Sequence, residues 1–413
     1  MKLLFILDSV EFSLAPTPAL ARRVAGLLAG KGHEIHLLEL WDGENPAPAE
    51  KGCTAHPLSF CDERIMNQIL ENGRKGGTPV ALRLAKLCFH PFGALAAFRQ
   101  IILKKPRRIT AAAEAIERLD RQHHFDAAVA VAAPYAGSFA LVAANIPGQK
   151  ISWQMDPYAA NESYSAPGSW QKEKELLAQL SQVFVAPPMA GYYAAGMPLE
   201  SFRSKMQVLD FPALAAPEAK ESTKHSGRIK CVFVGSLYPD IRTPHYALEL
   251  FSAANLSDCE LVFVGGGWQN YPADFLAPYK KVLGNRLVIT GPVPKAQADC
   301  WLEEADVLIS LGNSVRNQVP SKIFEYFAAG KPILHLAKLQ DDPCIPYFKR
   351  WPLALSLWEQ QGHDADICKQ LACFLTEKAA CRLPFSQAEE LFRENTPAYA
   401  ADLIEKCIEE KMR

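Results

Sequence analysis

Residues 313–336 read NSVRNQVPSKIFEYFAAGKPILHL, and they place a proline, a serine, a lysine and one carboxylate at the start of a short helix. Pro320 suits a first helical position, and the Ser321 side chain can accept a bond from an otherwise orphan amide. Gly330, followed by Lys331 and Pro332, closes the helix, because glycine takes the left-handed turn and proline cannot continue it. Glu325 lies four residues after Ser321, one beyond the spacing of a capping box, so it sits one turn inside the helix on the serine's face. A helix start with free amides attracts a phosphate, and a carboxylate one turn deeper can accept bonds from a ribose. The alternative is that Glu325 only complements the positive end of the helix dipole.

A second group lies upstream in VFVGSLYPDIRTPHYALELF. Here a strand ends at Val234, Gly235 and Ser236 turn, and Arg242 precedes a helix. Loop amides with a guanidinium fork suit a diphosphate, although an ordinary loop with a surface arginine reads the same way. Gly265, Gly266 and Gly267 follow another strand but do not form GxGxxG, and their better use is close approach of a second backbone or a ligand. Gly291 and Val293 sit on a further strand-to-helix loop, where main-chain groups could bracket a nucleobase edge.

The elements that must position these residues repeat along the chain. MKLLFILD is a buried parallel strand, and ALARRVAGLLAGKGHEIHLLEL gives an amphipathic helix, a glycine stop and a second strand. FDAAVAVAAP, KISWQM and SQVFVAPP supply more strands. PALAAPEAKESTKHSGR, residues 212–228, turns polar and proline-bearing in the manner of a linker, after which strands and helices alternate again. The terminal SQAEELFRENTPAYAADLIEKCIEEKMR is helical apart from a break at residues 395–397. The pattern predicts an α/β protein of two doubly wound, Rossmann-like domains facing across a cleft, where the strand ends of such sheets bind ligands. The division falls at 1–212 with 395–413 for the first domain and 213–394 for the second.

Composition narrows the function. The chain has 413 residues, a formal net charge of -1 and 22% charged residues, which gives no global pull toward nucleic acid. Its eleven cysteines are scattered singly without a CxxC pair, which fits a reducing compartment and gives neither a disulfide framework nor a zinc motif. No apolar run reaches the about eighteen residues of a membrane span, and Asp8 interrupts the first apolar stretch too early for a signal peptide. A cytoplasmic protein is expected.

The succession VGSLYPDIRTP, VFVGGG, ITGPVPKAQ, LEEADVLISLGN and VPSKIFEYFAAGKPIL resembles the donor-binding domain of GT-B glycosyltransferases that use nucleotide sugars. The likeness covers residues 229–336 well and the first forty plausibly; the terminal FxxNT and its helix are similar to the segment that crosses back onto the first domain. It implies that Glu325 holds the ribose hydroxyls, that Ser321 and Lys322 meet the phosphates with Pro320 beside them in the donor site, that Arg242 and the Gly235 turn take the leaving diphosphate, and that Val293 meets the base. It further implies a nucleoside-diphosphate sugar as donor, a saccharide, lipid-linked or protein acceptor, and no redox cofactor or obligatory metal. One departure stands out. Retaining members carry a second glutamate eight positions before the ribose glutamate, and here that position is Asn317. A carboxamide can hydrogen-bond a sugar hydroxyl but cannot balance an oxocarbenium-like charge, so either stereochemical outcome fits.

Acceptor chemistry is expected in the first domain. SWQMDPYAANESY puts Asp156 at a strand end with Tyr158 and Asn161 near it; the carboxylate can act as a base on an acceptor hydroxyl or serve as an Asp-Pro turn initiator. SLAPTPAL stands where relatives carry paired glycines. Residues 83–108 alternate Lys and Arg with Phe, Leu and Ile without an acidic residue, which suits an anionic membrane surface or a helix pair that solvates its charges. His33 and His36 fit structural positions at a strand start, and His123 and His124 fit a loop. Competing readings are a nucleotide-sugar epimerase or hydrolase, for which no acid–base pair is evident, and a non-catalytic sugar-nucleotide binding subunit, which Asn317 would suit.

Overall fold

The computed structural model describes residues 1–8, 16–41, 50–60, 107–161, 166–217 and 227–412. The chain divides into two compact units, Met1–Pro212 with Pro397–Arg413, and Ala213–Thr396.

In the first unit, buried apolar runs form β1 (Lys2–Asp8), β2 (Glu34–Trp41), β4 (Ala127–Ala132), β5 (Gln149–Gln154) and β6 (Gln182–Val185). The edges are β3 (Cys53–Ser59) and β7 (Met206–Val208), and the all-parallel order is β3-β2-β1-β4-β5-β6-β7. Sequence periodicity passed over both edge strands. β3 alternates exposed residues and carries Pro57 opposite Glu39, and proline lacks the N–H an interior ladder needs, so it is confined to an edge. Helix α1 (Pro16–Gly30), α2 (Arg107–His123), α3 (Ala136–Ala143) and α4 (Ser169–Gln179) flank the sheet. Leu4, Ile6, Leu38 and Leu40 pack with Ala112, Ile116 and Leu119 of α2 in one continuous core.

The carboxy-terminal helix, Pro397–Met412, belongs to this unit. Ala400, Ala401, Ile404 and Ile408 are buried, Lys31 bonds Asp402 and Glu405, and His33 Nε2 lies 2.6 Å from Glu405. His33 is thus structural, holding α1 to the chain's end. Of the basic segment 83–108, residues 83–106 lie outside the described residues. Arg108 pairs with buried Asp8 at the end of β1 and lies over the Phe60 ring, so its charge is met within the unit. Among the described residues, no helix is long and apolar enough to cross a membrane.

The second unit repeats the plan. Strands β8 (Ile229–Val234), β9 (Cys259–Val264), β10 (Leu287–Gly291), β11 (Val307–Leu311), β12 (Ile333–Ala337) and β13 (Ala354–Trp358) lie parallel in the order β10-β9-β8-β11-β12-β13. Helix α5 (His245–Ala254), α6 (Ala277–Leu283), α7 (Lys295–Glu304) and α8 (Lys322–Ala328) follow the strands. Both units are open parallel sheets whose strand order reverses beside the first strand. Such sheets bind ligands outside the carboxyl ends of the strands at that reversal. In the second unit the reversal lies between β8 and β11.

Candidate functional site: the carboxyl ends of β8 and β11

The crevice begins where a ladder stops. β8 and β11 pair only at Cys231↔Val307 and Val232↔Leu308, so their carboxyl ends are unpaired with each other. The Val234 N–H, which faces the β11 side, donates instead to the hydroxyl of Tyr326 in α8 at 3.3 Å. Tyr326 is 3% exposed, and burial drives its phenol far above the ordinary range, so the hydroxyl stays neutral. Through it the second turn of α8 is tied to the end of β8.

Arg242 enters from the other side. Its loop is closed by paired Tyr238 and Arg242 main chains, and Ser314 anchors it with its N–H to the Ile241 carbonyl at 2.8 Å and its hydroxyl to the Asp240 carbonyl at 2.6 Å. The Arg242 Nε donates to Asn313 Oδ1 at 2.9 Å, across the reversal, and Asn313 is 5% exposed. Burial lowers the guanidinium pKa, while the groups that act on it from nearby are Tyr326, Tyr238 and Cys344. An arginine remains charged under such conditions. Among the described residues no carboxylate pairs with this half-buried cation, and that leaves its terminal nitrogens for an anion.

The glycines have a different role from phosphate cradling. The Gly235 N–H donates to the Val264 carbonyl at 2.9 Å, Leu237 N–H to Gly266 at 2.9 Å, and Gly265 N–H to Gly291 at 3.0 Å. These bonds prolong the β10-β9-β8 ladder beyond the strands. A Cβ on Gly265 would stand 2.0 Å from the Gly235 carbonyl oxygen, so only glycine fits there. The Gly235 and Gly265 amides are therefore committed, whereas exposed Ser236 has an N–H that meets no backbone carbonyl among the described residues. Gly266 has only the Pro292 ring near a would-be Cβ, at 3.4 Å.

At the head of α8, Ser321 is the N-cap residue but already has helical φ and ψ, and its hydroxyl makes no capping bond. The expected serine cap is absent for that conformational reason; the carbonyls of Pro320 and Ser321 instead accept the Ile323 and Phe324 amides at 3.2 and 3.1 Å. Glu325 is exposed one turn in and pairs with Lys322 at 3.2 Å. Gly330 ends the helix with φ of 67°, as its sequence position predicts. Val293 is half-buried on the loop after β10, whose start is joined to Gly265. Asn317 is half-buried on the loop between β11 and α8. Thus Arg242, Asn313 and the Tyr326-anchored head of α8 border one crevice, whereas Val293 follows the edge strand two positions away in the sheet.

In the first unit, Asp156 follows β5 by two residues and its carbonyl accepts the Tyr135 hydroxyl at 2.6 Å. Sequence reasoning missed the group that shapes this loop. Glu173 of α4 is 2% exposed and its carboxylate accepts the Ala159 N–H at 3.1 Å. Burial pushes its pKa up to about 7, against the opposing pull of that amide. Tyr158 and Tyr193 lie close enough for the carboxylate to raise their pKa values further. Asn313 and Tyr326 were also missed as partners, although both stand in the 313–336 stretch.

Comparison with known proteins bears on the fold and on the second unit. Residues 228–338, which lie within the second unit, match the family described as Glycosyl transferases group 1. The structure of Anabaena Alr3699/HepE in complex with UDP is similar across 99% of this chain and 100% of that one, with 13% identity and a TM-score of 0.61. Sucrose-phosphate synthase from Thermosynechococcus elongatus is similar over 99% of both chains, at 13% identity and a TM-score of 0.59. A glycosyltransferase from Rickettsia africae covers 100% of this chain and 98% of its own, at 12% identity and a TM-score of 0.60. No curated protein matches the chain in sequence. The fold is GT-B: two doubly wound parallel sheets, with the terminal helix returned to the first unit.

Proposed function

We propose that the chain is a glycosyltransferase that moves a sugar from a nucleoside-diphosphate sugar to a saccharide, lipid-linked or protein acceptor, in the synthesis of a cell-envelope or surface polysaccharide. The observation that carries this reading is Arg242: a half-buried cation held by Asn313 at the strand-order reversal, with no carboxylate paired to it among the described residues. A departing diphosphate supplies the missing negative charge. Lys322 and the Ser236 N–H add donors, Glu325 takes the ribose hydroxyls, and Val293 meets the base. Asn317 bonds a hydroxyl of the donor sugar, and Asp156 acts on the acceptor from the first unit. Charge on the leaving group is met by these cations and amides, so the transfer needs no redox cofactor or obligatory metal. The group 1 domain match supports the reaction class, and the complex of the Anabaena protein with UDP supports the class of donor.

Binding to the native state alone raises stability by mass action. A nucleoside diphosphate should therefore raise the melting temperature of the full chain. Equal melting temperatures with and without millimolar UDP, GDP, ADP and TDP would count against the donor site. Turnover of labelled donors with cell-envelope acceptors then separates a transferase from a binding subunit.

A further inference from the structure

Three histidines from separate parts of the first unit converge on one point. His36 is the third residue of β2, His56 the fourth of β3, and His123 the last of α2. His36 shares its face of the sheet with Leu38 and Leu40, and Leu38 is the register partner of His56, so both rings lie on the side that α2 covers. The Nδ1 of His36 and the Nε2 of His56 are 2.8 Å apart, and one nitrogen from each of the three rings falls within a 4.8 Å span. His36 is 3% exposed, and the other two are half-buried. No sequence spacing signals the trio, because the three are brought together by the edge strand and the end of a helix.

Glu34 completes the arrangement. Its Oε1 lies 3.1 Å from His36 Nε2 and 3.9 Å from His123 Nδ1. A carboxylate on the far nitrogen of an imidazole fixes the tautomer that leaves the near nitrogen as a lone pair, the usual support behind a metal-bound histidine. We propose that His36 Nδ1, His56 Nε2 and a ring nitrogen of His123 form a binding site for a divalent transition cation, zinc by its chemistry, with Glu34 orienting His36. Three imidazoles with a fourth position for water suit tetrahedral zinc. With bonds of about 2.0–2.1 Å, ligand nitrogens stand about 3.3 Å apart, so the His36–His56 pair opens by roughly half an ångström to admit the ion. The site lies toward the amino ends of the strands, away from the carboxyl ends where substrates of such sheets bind, so its role is to pin the edge strand β3 and the end of α2 to β2.

The test uses the full chain, freed of metal with a chelator and titrated with cobalt(II). The expected result is one equivalent bound with the visible bands of a tetrahedral nitrogen and oxygen site, no thiolate-to-cobalt charge-transfer band, and displacement by zinc. His56→Ala and His123→Ala, at half-buried positions, should each weaken binding at least about tenfold, and Glu34→Gln about tenfold, while far-ultraviolet circular dichroism stays that of the parent. No uptake at millimolar cobalt, a thiolate-dominated spectrum, or binding unchanged in the His56→Ala/His123→Ala double variant would overturn the site. Each of those results leaves Glu34, His36 and His56 as a hydrogen-bonded chain that satisfies a buried histidine.

Discussion

Glu325 and Arg242 differ in what surrounds them, and that difference sets what each can contribute. Glu325 is exposed and paired with Lys322 three residues away. An exposed pair of this kind adds little to stability, so Glu325→Ala should leave the fold intact. Loss of a carboxylate that accepts two ribose hydroxyls is worth about 2 to 3 kcal/mol, a thirty-fold or larger rise in the dissociation constant. Calorimetric titration of the nucleoside diphosphate that stabilises the parent checks this. Unchanged affinity would return Glu325 to its helix-dipole role. Arg242, by contrast, is oriented by a buried carboxamide, and Asn313→Ala should release it. Lower turnover with a smaller change in KM would mark Asn313 as a positioning residue, whereas parent-like kinetics would show that Arg242 is placed without it.

At the scale of elements, buried Glu173 makes a pH prediction. Its folded pKa, about 7, lies above the ordinary glutamate value of 4.5, so the fold favours the protonated form. The stabilisation is complete below pH about 4.5, where folded and unfolded chains are both protonated, and is lost as pH rises toward and through about 7. The whole loss is on the order of a few kcal/mol. Glu173→Gln keeps an acceptor for the Ala159 N–H and removes the titration, so denaturant unfolding should show less decline in stability between pH 5 and 8. A parent-like decline in the variant would place the titrating group elsewhere.

The same scale shows what the sequence made legible. Interior strands announce themselves as apolar runs because both faces of a parallel sheet are covered, and Gly330 marks the end of α8 because only a left-handed residue turns the chain there. β3 was not legible: one face is open to solvent and Pro57 breaks the pattern. Nor were long-range partnerships. Arg242 meets Asn313 across 71 positions and Val234 meets Tyr326 across 92, and no local period encodes such pairs. The residue type of the glycine cluster marks a place of close approach, but which backbone it approaches depends on the sheet order.

For the whole molecule, two Rossmann-like units separate the work proposed for them. The second unit carries the cation and the carboxylate assigned to the donor, and the first carries Asp156 and the glutamate that holds its loop. Charge grows on the diphosphate as the glycosyl bond breaks, so a cation at that position contributes more in the transition state than in the ground state. Release of nucleoside diphosphate from a saturating nucleotide sugar, with acceptor present, should therefore fall on the order of a hundred-fold in Arg242→Ala with a smaller loss of donor binding. Arg242→Lys keeps charge without the fork and should recover only part of the rate. Steady-state turnover of the parent and these two variants is the most direct measurement: a steep fall with partial rescue places the leaving group at Arg242, and parent-like turnover in the alanine variant contradicts it.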